Sequence, residues 1–135
     1  MRYRQTKSRR SEGLETKNIL IIDDDKAILS PIAEILRLEG YYVDTAKTGK
    51  EAIEKSKMWL YDLAIVDVKL PDTDGIDLLK SLKETNPRMV TIVFSGFRTK
   101  DSATRALNSG AEAYFLKPLN MEKLLETFEE QLKKQ

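Results

Sequence analysis

The chain has no cysteine and no histidine among its 135 residues. The first absence excludes disulfides and thiolate chemistry. The second excludes imidazole metal ligands, Ser-His catalysis and a phosphohistidine on this chain. No apolar run approaches the roughly 20 residues of a membrane helix. Residues 1–10, Met1-Arg2-Tyr3-Arg4-Gln5-Thr6-Lys7-Ser8-Arg9-Arg10, carry no apolar core of the kind a signal peptide needs. The chain also lacks an excess of charge of one sign. Its 23 basic and 22 acidic residues leave a net charge of +1, so nothing draws it as a whole toward nucleic acid or an anionic membrane. Carboxylates, hydroxyls, Lys and Arg are left to do chemistry. An oxygen-only ligand set favours a hard cation such as Mg²⁺.

What is present is a set of short apolar runs that each stop at a polar residue. Leu63-Ala64-Ile65-Val66 ends in Asp67, and Pro71 and Gly75 follow in the next loop. Asn18-Ile19-Leu20-Ile21-Ile22 ends in Asp23-Asp24-Asp25. Met89 to Phe94 ends at Ser95-Gly96, and Ala113 to Leu116 ends at Lys117-Pro118. Runs this apolar and β-branched, closed by turn residues, read as strands buried on both faces. Tyr41 to Ala46 alternates, as an edge strand does.

Helical periodicity fills the gaps. Ile28, Ile32, Ile35 and Leu36 share one face of a helix that Asp25 caps and Gly40 closes. Pro31 lies past the first turn and predicts a kink or a late start. A helix over 48–59 is expected to turn Ala52, Ile53 and Leu60 inward. Helices over 75–83 and 100–109 are expected to bury Ile76, Leu79 and Leu82, and Ala103, Ala106 and Leu107. Asn120 caps a last helix striped with Met121, Leu124, Leu125, Phe128 and Leu132. Residues 1–16 are basic, polar and aperiodic. They are expected to form a disordered tail before a single domain over 17–135.

Strand and helix alternate five times, which predicts an α/β fold with a parallel sheet covered on both faces. The expected topology is flavodoxin-like and doubly wound, with order 2-1-3-4-5 and a switch point between the first and third strands. All strand tips then share one edge. Asp23, Asp24, Asp67, Ser95 and Lys117 fall within about 15 Å, given strands ~4.8 Å apart. Clustered carboxylates repel unless a cation neutralises them. Carboxylate, ammonium, hydroxyl and a bound Mg²⁺ make a phosphoryl-transfer constellation.

With these motifs in register, the chain resembles the receiver domain of two-component response regulators from residue 17 to about 134. The resemblance rests on Ile19–Asp25, Asp67–Gly75, Ser95-Gly96 and Tyr114–Pro118. It implies that Asp67 accepts a phosphoryl group from a partner's phosphohistidine. It implies that Asp24, Asp67 and the backbone carbonyl of Lys69 bind Mg²⁺, with Asp23 holding a metal water. Ser95 and Lys117 would contact the phosphoryl oxygens. Ser95 and Tyr114 would then switch, repacking the face of the fourth helix, last strand and last helix. The Lys117-Pro118 bond would be cis. The implied partners are a sensor histidine kinase or a histidine phosphotransfer protein and a downstream protein target, with a phosphorylation-dependent homodimer as a further option. The implied location is the cytoplasm, and the chain is expected to lack an output domain. Ser95 stands where Thr is commoner, and Gly96 where Ala is common, which opens the site to phosphodonors.

Two alternatives compete. A haloacid-dehalogenase-like phosphatase would use Asp23, since Asp23-x-Asp25 mimics its opening motif. It needs a further acidic pair on a late strand end, whereas Glu122, Glu126, Glu129 and Glu130 fall on a helix. A pseudo-receiver would bind partners without phosphate. The stretch Thr45–Glu51 fails as a phosphate loop, because the leading Gly is missing and Glu51 follows Lys50.

Overall fold

The computed structural model describes residues 16–96 and 100–133. Ten elements alternate without exception: β1 (Asn18–Ile22), α1 (Lys26–Leu38), β2 (Tyr42–Ala46), α2 (Gly49–Met58), β3 (Leu63–Asp67), α3 (Gly75–Thr85), β4 (Val90–Ser95), α4 (Lys100–Asn108), β5 (Ala113–Leu116) and α5 (Met121–Lys133). The five strands are parallel and ordered β2-β1-β3-β4-β5, the flavodoxin-like order expected. The order in which strands are added to the sheet reverses between β1 and β3.

The apolar strands split their side chains between two layers. Ile19, Ile21, Leu63, Ile65, Ile92 and Phe94 pack with Leu29, Ile32 and Leu36 of α1 and with Leu124 and Phe128 of α5. Leu20, Ile22, Ala64 and Val66 pack the other way, against Ala52 of α2 and Leu78 and Leu82 of α3. A third cluster joins Val68, Ile76, Leu79, Val93, Ala106 and Ala111, seating α4 on the sheet. The strict two-residue period of a strand makes this division. Both faces are covered, so β1, β3 and β4 are buried along their whole length.

Several expectations shift in detail. The first helix starts at Lys26 and runs through Pro31, so the late start is not found. Asp25 caps it by accepting the Ala27 N–H, and the carbonyl that Pro31 leaves without a helical donor belongs to exposed Ala27. Its buried stripe is Leu29, Ile32, Ala33 and Leu36, with Ile28 and Ile35 only half-buried on either side. Leu60 lies beyond the end of α2 and is exposed, and Gly49, Ala52 and Ser56 form the buried side. Leu107 is 52% exposed, because α4 meets the sheet through the small Ala106 and Leu107 lies one position further round. All of the expected tail over residues 1–16 except Thr16 lies outside the described residues. Lys17 is half-buried, and its carbonyl accepts the Tyr42 N–H.

The edge strand β2 is closed from both sides. Tyr42 N–H and Ala46 C=O bond toward the β1 side, so alternation turns the backbone groups of Val43 and Thr45 toward the open edge. Arg37 Nη2 of α1 donates to the Val43 carbonyl at 2.8 Å. Lys55 Nζ of α2 donates to the Thr45 carbonyl. Two cations thus occupy carbonyls that a foreign strand would need.

Candidate functional site

The register sets the site. Ile22 lies opposite Val66, Asp67 opposite Phe94, and Ser95 opposite Leu116. The residues that follow β1 therefore emerge beside the tip of β3, and Lys117, which follows β5, emerges beside Ser95 at the tip of β4. Asp23 and Ser95 are fully buried, Asp67 is 6% exposed, and Asp24 faces solvent. Asp23 Oδ1 accepts the Asp25 N–H at 3.0 Å, which fixes its carboxylate as the chain turns into α1. Carboxylate oxygens of Asp23, Asp24 and Asp67 lie within 4.8 Å of one another.

Lys117 reaches into this cluster from β5. Its Nζ lies 2.8 Å from Asp23 Oδ2 and 3.5 Å from Asp67 Oδ1. It also sits 4.8 Å from the centre of the Phe94 ring. The Lys117-Pro118 peptide is cis, as the resemblance implied.

The electrostatics follow from burial and crowding. Burial is the main force raising the Asp67 carboxyl to about 6. The charge of Asp23 adds to it, and the Lys117 ammonium opposes it. Burial alone would lower the Lys117 ammonium. Its bond to Asp23 and the charge of Asp67 outweigh that and hold it above the ordinary lysine value. Three convergent carboxylates with too little positive charge are what a divalent cation relieves. With no imidazole or thiolate in the chain, the donor set suits a hard cation.

The loop after β3 is held at several points. Lys69 and Asp74 form an isolated antiparallel bridge, and Gly75 N–H donates to the Val68 carbonyl at 2.7 Å. Asp74 Oδ1 caps α3 by accepting the Ile76 N–H at 2.7 Å, while its Oδ2 pairs with Arg105 of α4 at 3.4 Å. A Cβ at position 75 would lie 1.9 Å from the Asp67 carbonyl oxygen, so only glycine lets α3 begin this close to the strand tip.

The structure brings Asp23, Asp24, Asp67 and Lys117 together, with Ser95 at the neighbouring strand tip. Lys69 lies two residues past Asp67, and its backbone N–H bonds the Asp67 carboxylate. Tyr114 is outside the acidic cluster. It is half-buried and packs on the Val68, Ile76, Val93 and Ala106 cluster, beneath α4. Sequence reading gave no role to Phe94, Arg105 or Asp72, and only a location in the motif to Gly75. The Asp-Gly pair before a helical pattern could have flagged Gly75. The others act across long separations and leave no local signal.

Fold and site together define a doubly wound α/β protein with an acidic pocket at its switch point. The chain belongs to the response regulator receiver domain family, whose model matches residues 19–129. It is 36% identical over 118 residues to the transcriptional regulatory protein ZraR of Klebsiella oxytoca, covering 87% of this chain and 27% of that protein. The chain thus spans about a quarter of the length of the first curated relatives it matches. Among solved structures it resembles a receiver domain from Methanospirillum hungatei, at 40% identity and a TM-score of 0.85, over 88% of this chain and 95% of that one. It also resembles a response regulator from Burkholderia pseudomallei with a phosphorylated aspartic acid and a calcium ion, at 30% identity and a TM-score of 0.77, over 81% and 64% of the two chains.

Residues 19–129 therefore form a receiver domain, a signalling module of the two-component type. The phosphatase alternative is disfavoured. Asp23 is buried and bonded to Lys117, and Glu122, Glu126, Glu129 and Glu130 all lie on α5. No helix among the described residues is long and apolar enough to cross a membrane.

Proposed function

We propose that Asp67 accepts a phosphoryl group from the phosphohistidine of a sensor histidine kinase or a histidine phosphotransfer protein. One observation carries this reading: Asp67, nearly buried at the tip of the central strand, faces both a second carboxylate and an ammonium. A carboxylate oxygen of Asp67 attacks phosphorus, and the P–N bond breaks with its electron pair leaving on the imidazole. The product is an acyl phosphate on Asp67. At neutral pH a carboxyl titrating near 6 is mostly ionised and so nucleophilic.

Asp24, Asp67 and the Lys69 carbonyl would hold Mg²⁺, with Asp23 supporting the site through a bound water. When bound, the cation offsets the charge gathered around the transferring group. Lys117 turns from Asp23 to a phosphoryl oxygen. The Ser95 hydroxyl donates to another, and the Tyr114 ring moves into the space Ser95 leaves. The face of α4, β5 and α5, which exposes Leu107 and Leu116, is repacked and binds a downstream protein or a second copy of this chain. Water later attacks the acyl phosphate and resets the module. All of this takes place in the cytoplasm.

Treatment with a small acyl-phosphate donor and Mg²⁺ tests the assignment by mass spectrometry. One phosphoryl group should be gained and should map to Asp67, and Asp67→Ala should abolish it. Label on Asp23 would favour the phosphatase. Absence of both label and Mg²⁺ binding would favour the pseudo-receiver.

A further inference from the structure

Helix α2 begins with three N–H groups that have no partner inside the helix. Glu51 N–H is bonded by Thr48 Oγ1 at 3.0 Å, the local cap. The other two are bonded from a different part of the chain. Gly49 N–H donates to Asp72 Oδ1 at 2.8 Å, and Lys50 N–H donates to Asp72 Oδ2 at 3.0 Å. One carboxylate of the β3–α3 loop thus closes the start of α2 across 23 and 22 residues of sequence. These two bonds hold the Asp72 carboxyl below the ordinary range.

The contact is steric as well as polar. A Cβ on Gly49 would lie 2.5 Å from the Thr73 methyl, so Gly49 leaves room for the loop to lie against the helix. Thr48 is a sufficient cap for its own position, and a helix N-terminus on a surface could be solvated. Bonding both N–H groups to one distant carboxylate therefore fixes the loop more than it is needed to form the helix.

The loop in question carries Lys69, the expected carbonyl ligand. The Lys69–Asp74 bridge closes the base of a tip formed by Leu70, Pro71, Asp72 and Thr73. The Lys69 carbonyl belongs to the peptide that enters this tip. Whatever fixes the tip limits the rotation of that peptide. Asp74 fixes one side to α3 and α4, and Asp72 fixes the other to α2.

We propose that Asp72 is a positioning residue for the metal site: by clamping the loop to the start of α2, it holds the Lys69 carbonyl in the direction needed to bind Mg²⁺. This rests on the reading of Lys69 given above. Asp72 touches neither the cation nor the phosphoryl group. Its effect passes through the loop backbone, so substitution alters affinity for the cation more than it alters the fold.

The test compares Asp72→Ala with Thr48→Ala, each as the full chain. Both remove caps from the same helix end, but only the first releases the loop. Mg²⁺ binding is measured by titration calorimetry, thermal unfolding is measured without metal, and phosphoryl uptake from a small acyl-phosphate donor is measured by mass. Asp72 supports the Lys69 carbonyl only through the loop, so Asp72→Ala should raise the Mg²⁺ Kd about tenfold, the low end of what losing an outer support costs a metal site. Thr48→Ala should lower the melting temperature by a similar amount to Asp72→Ala, with an unchanged Kd. Asp72→Asn, with one acceptor oxygen, should fall between wild type and Asp72→Ala. An Asp72→Ala Kd within about twofold of wild type overturns the proposal, as does an equal loss in Thr48→Ala. If the wild-type chain itself binds no Mg²⁺, the reading of the site fails and this inference fails with it. A wild type that binds and labels normally beside an unaffected Asp72→Ala removes the inference alone.

Discussion

Lys117 Nζ is bonded to Asp23 Oδ2 at 2.8 Å and stands at the longer distance of 3.5 Å from Asp67. The ammonium that would serve the phosphoryl group is thus held in reserve by the carboxylate next door. Asp23 is fully buried, so the Lys117 ammonium is also what makes its charge tolerable.

Removing that ammonium should therefore be costly. Lys117→Met leaves a buried carboxylate without its ion-pair partner and is expected to cost about 3 kcal/mol or more at neutral pH. Adding Asp23→Asn should recover part of the loss. Urea unfolding of the two single variants and the double variant measures the coupling. Strict additivity would show that the 2.8 Å contact carries no energy.

Asp67 sets a pH dependence. Its carboxyl is raised from 3.8 to about 6, first by burial and then by Asp23. A carboxyl raised on folding favours the folded state while protonated. That contribution is present below about pH 4 and is lost as pH rises through 6. Asp67→Asn has no such loss. Without metal, and with the shift discounted for partial solvent screening, the variant should gain on wild type by about 1–2 kcal/mol between pH 4 and pH 7.5. Added Mg²⁺ should close the gap at pH 7.5 by stabilising wild type. Unfolding midpoints at the two pH values, with and without Mg²⁺, give the comparison. A gap that shrinks as pH rises without metal would contradict the assignment.

The two glycines at the site should respond differently. Gly75→Ala forces a Cβ against the Asp67 carbonyl and should destabilise by about 3 kcal/mol or more, or displace the loop. Among the described residues, a Cβ on Gly96 meets nothing within 4 Å, so Gly96→Ala should stay within about 0.5 kcal/mol of wild type. Thermal melts of both variants suffice, and equal losses would refute the steric account.

Asn18 is 2% exposed, and neither its Nδ2 nor its Oδ1 finds a hydrogen-bond partner among the described residues. Its backbone N–H bonds Asp62 Oδ2 at 2.7 Å and would survive substitution. Asn18→Leu replaces two orphaned polar atoms with methyls and should stabilise by about 1 kcal/mol or more. A lower urea midpoint would show that the amide has a role these contacts do not reveal.

The outer edge of β2 offers a test of association. Arg37 and Lys55 occupy the Val43 and Thr45 carbonyls. The double variant Arg37→Ala/Lys55→Ala frees both and should increase self-association, as an unguarded edge strand does. Light scattering across a concentration series would detect it, and a variant as monodisperse as wild type would show that the two cations guard nothing.

The order of elements was legible because each strand is a short apolar run with a polar stop, and the runs alternate with helical periodicity. Asp23, Asp24, Asp67 and Lys117 were legible for the same reason: a residue just past a parallel strand can only lie at one edge. The inward faces of the helices were read less well. Leu60 and Leu107 are apolar yet exposed, since periodicity marks a stripe but not which side of it the sheet touches. Pro31 sits on the solvent side of α1, where a missing N–H is tolerated, and the sequence does not display that side.

By itself, then, the sequence determined the kind of sheet, the edge at which chemistry gathers and the residues delivered there. These follow from the chain's local period and the points at which apolar runs end. Tertiary structure alone decided that Lys117 rests on Asp23, that Asp72 closes the start of α2, and that Arg37 and Lys55 seal β2. Each joins groups in different elements, and only close packing of those elements brings a donor within reach of its acceptor.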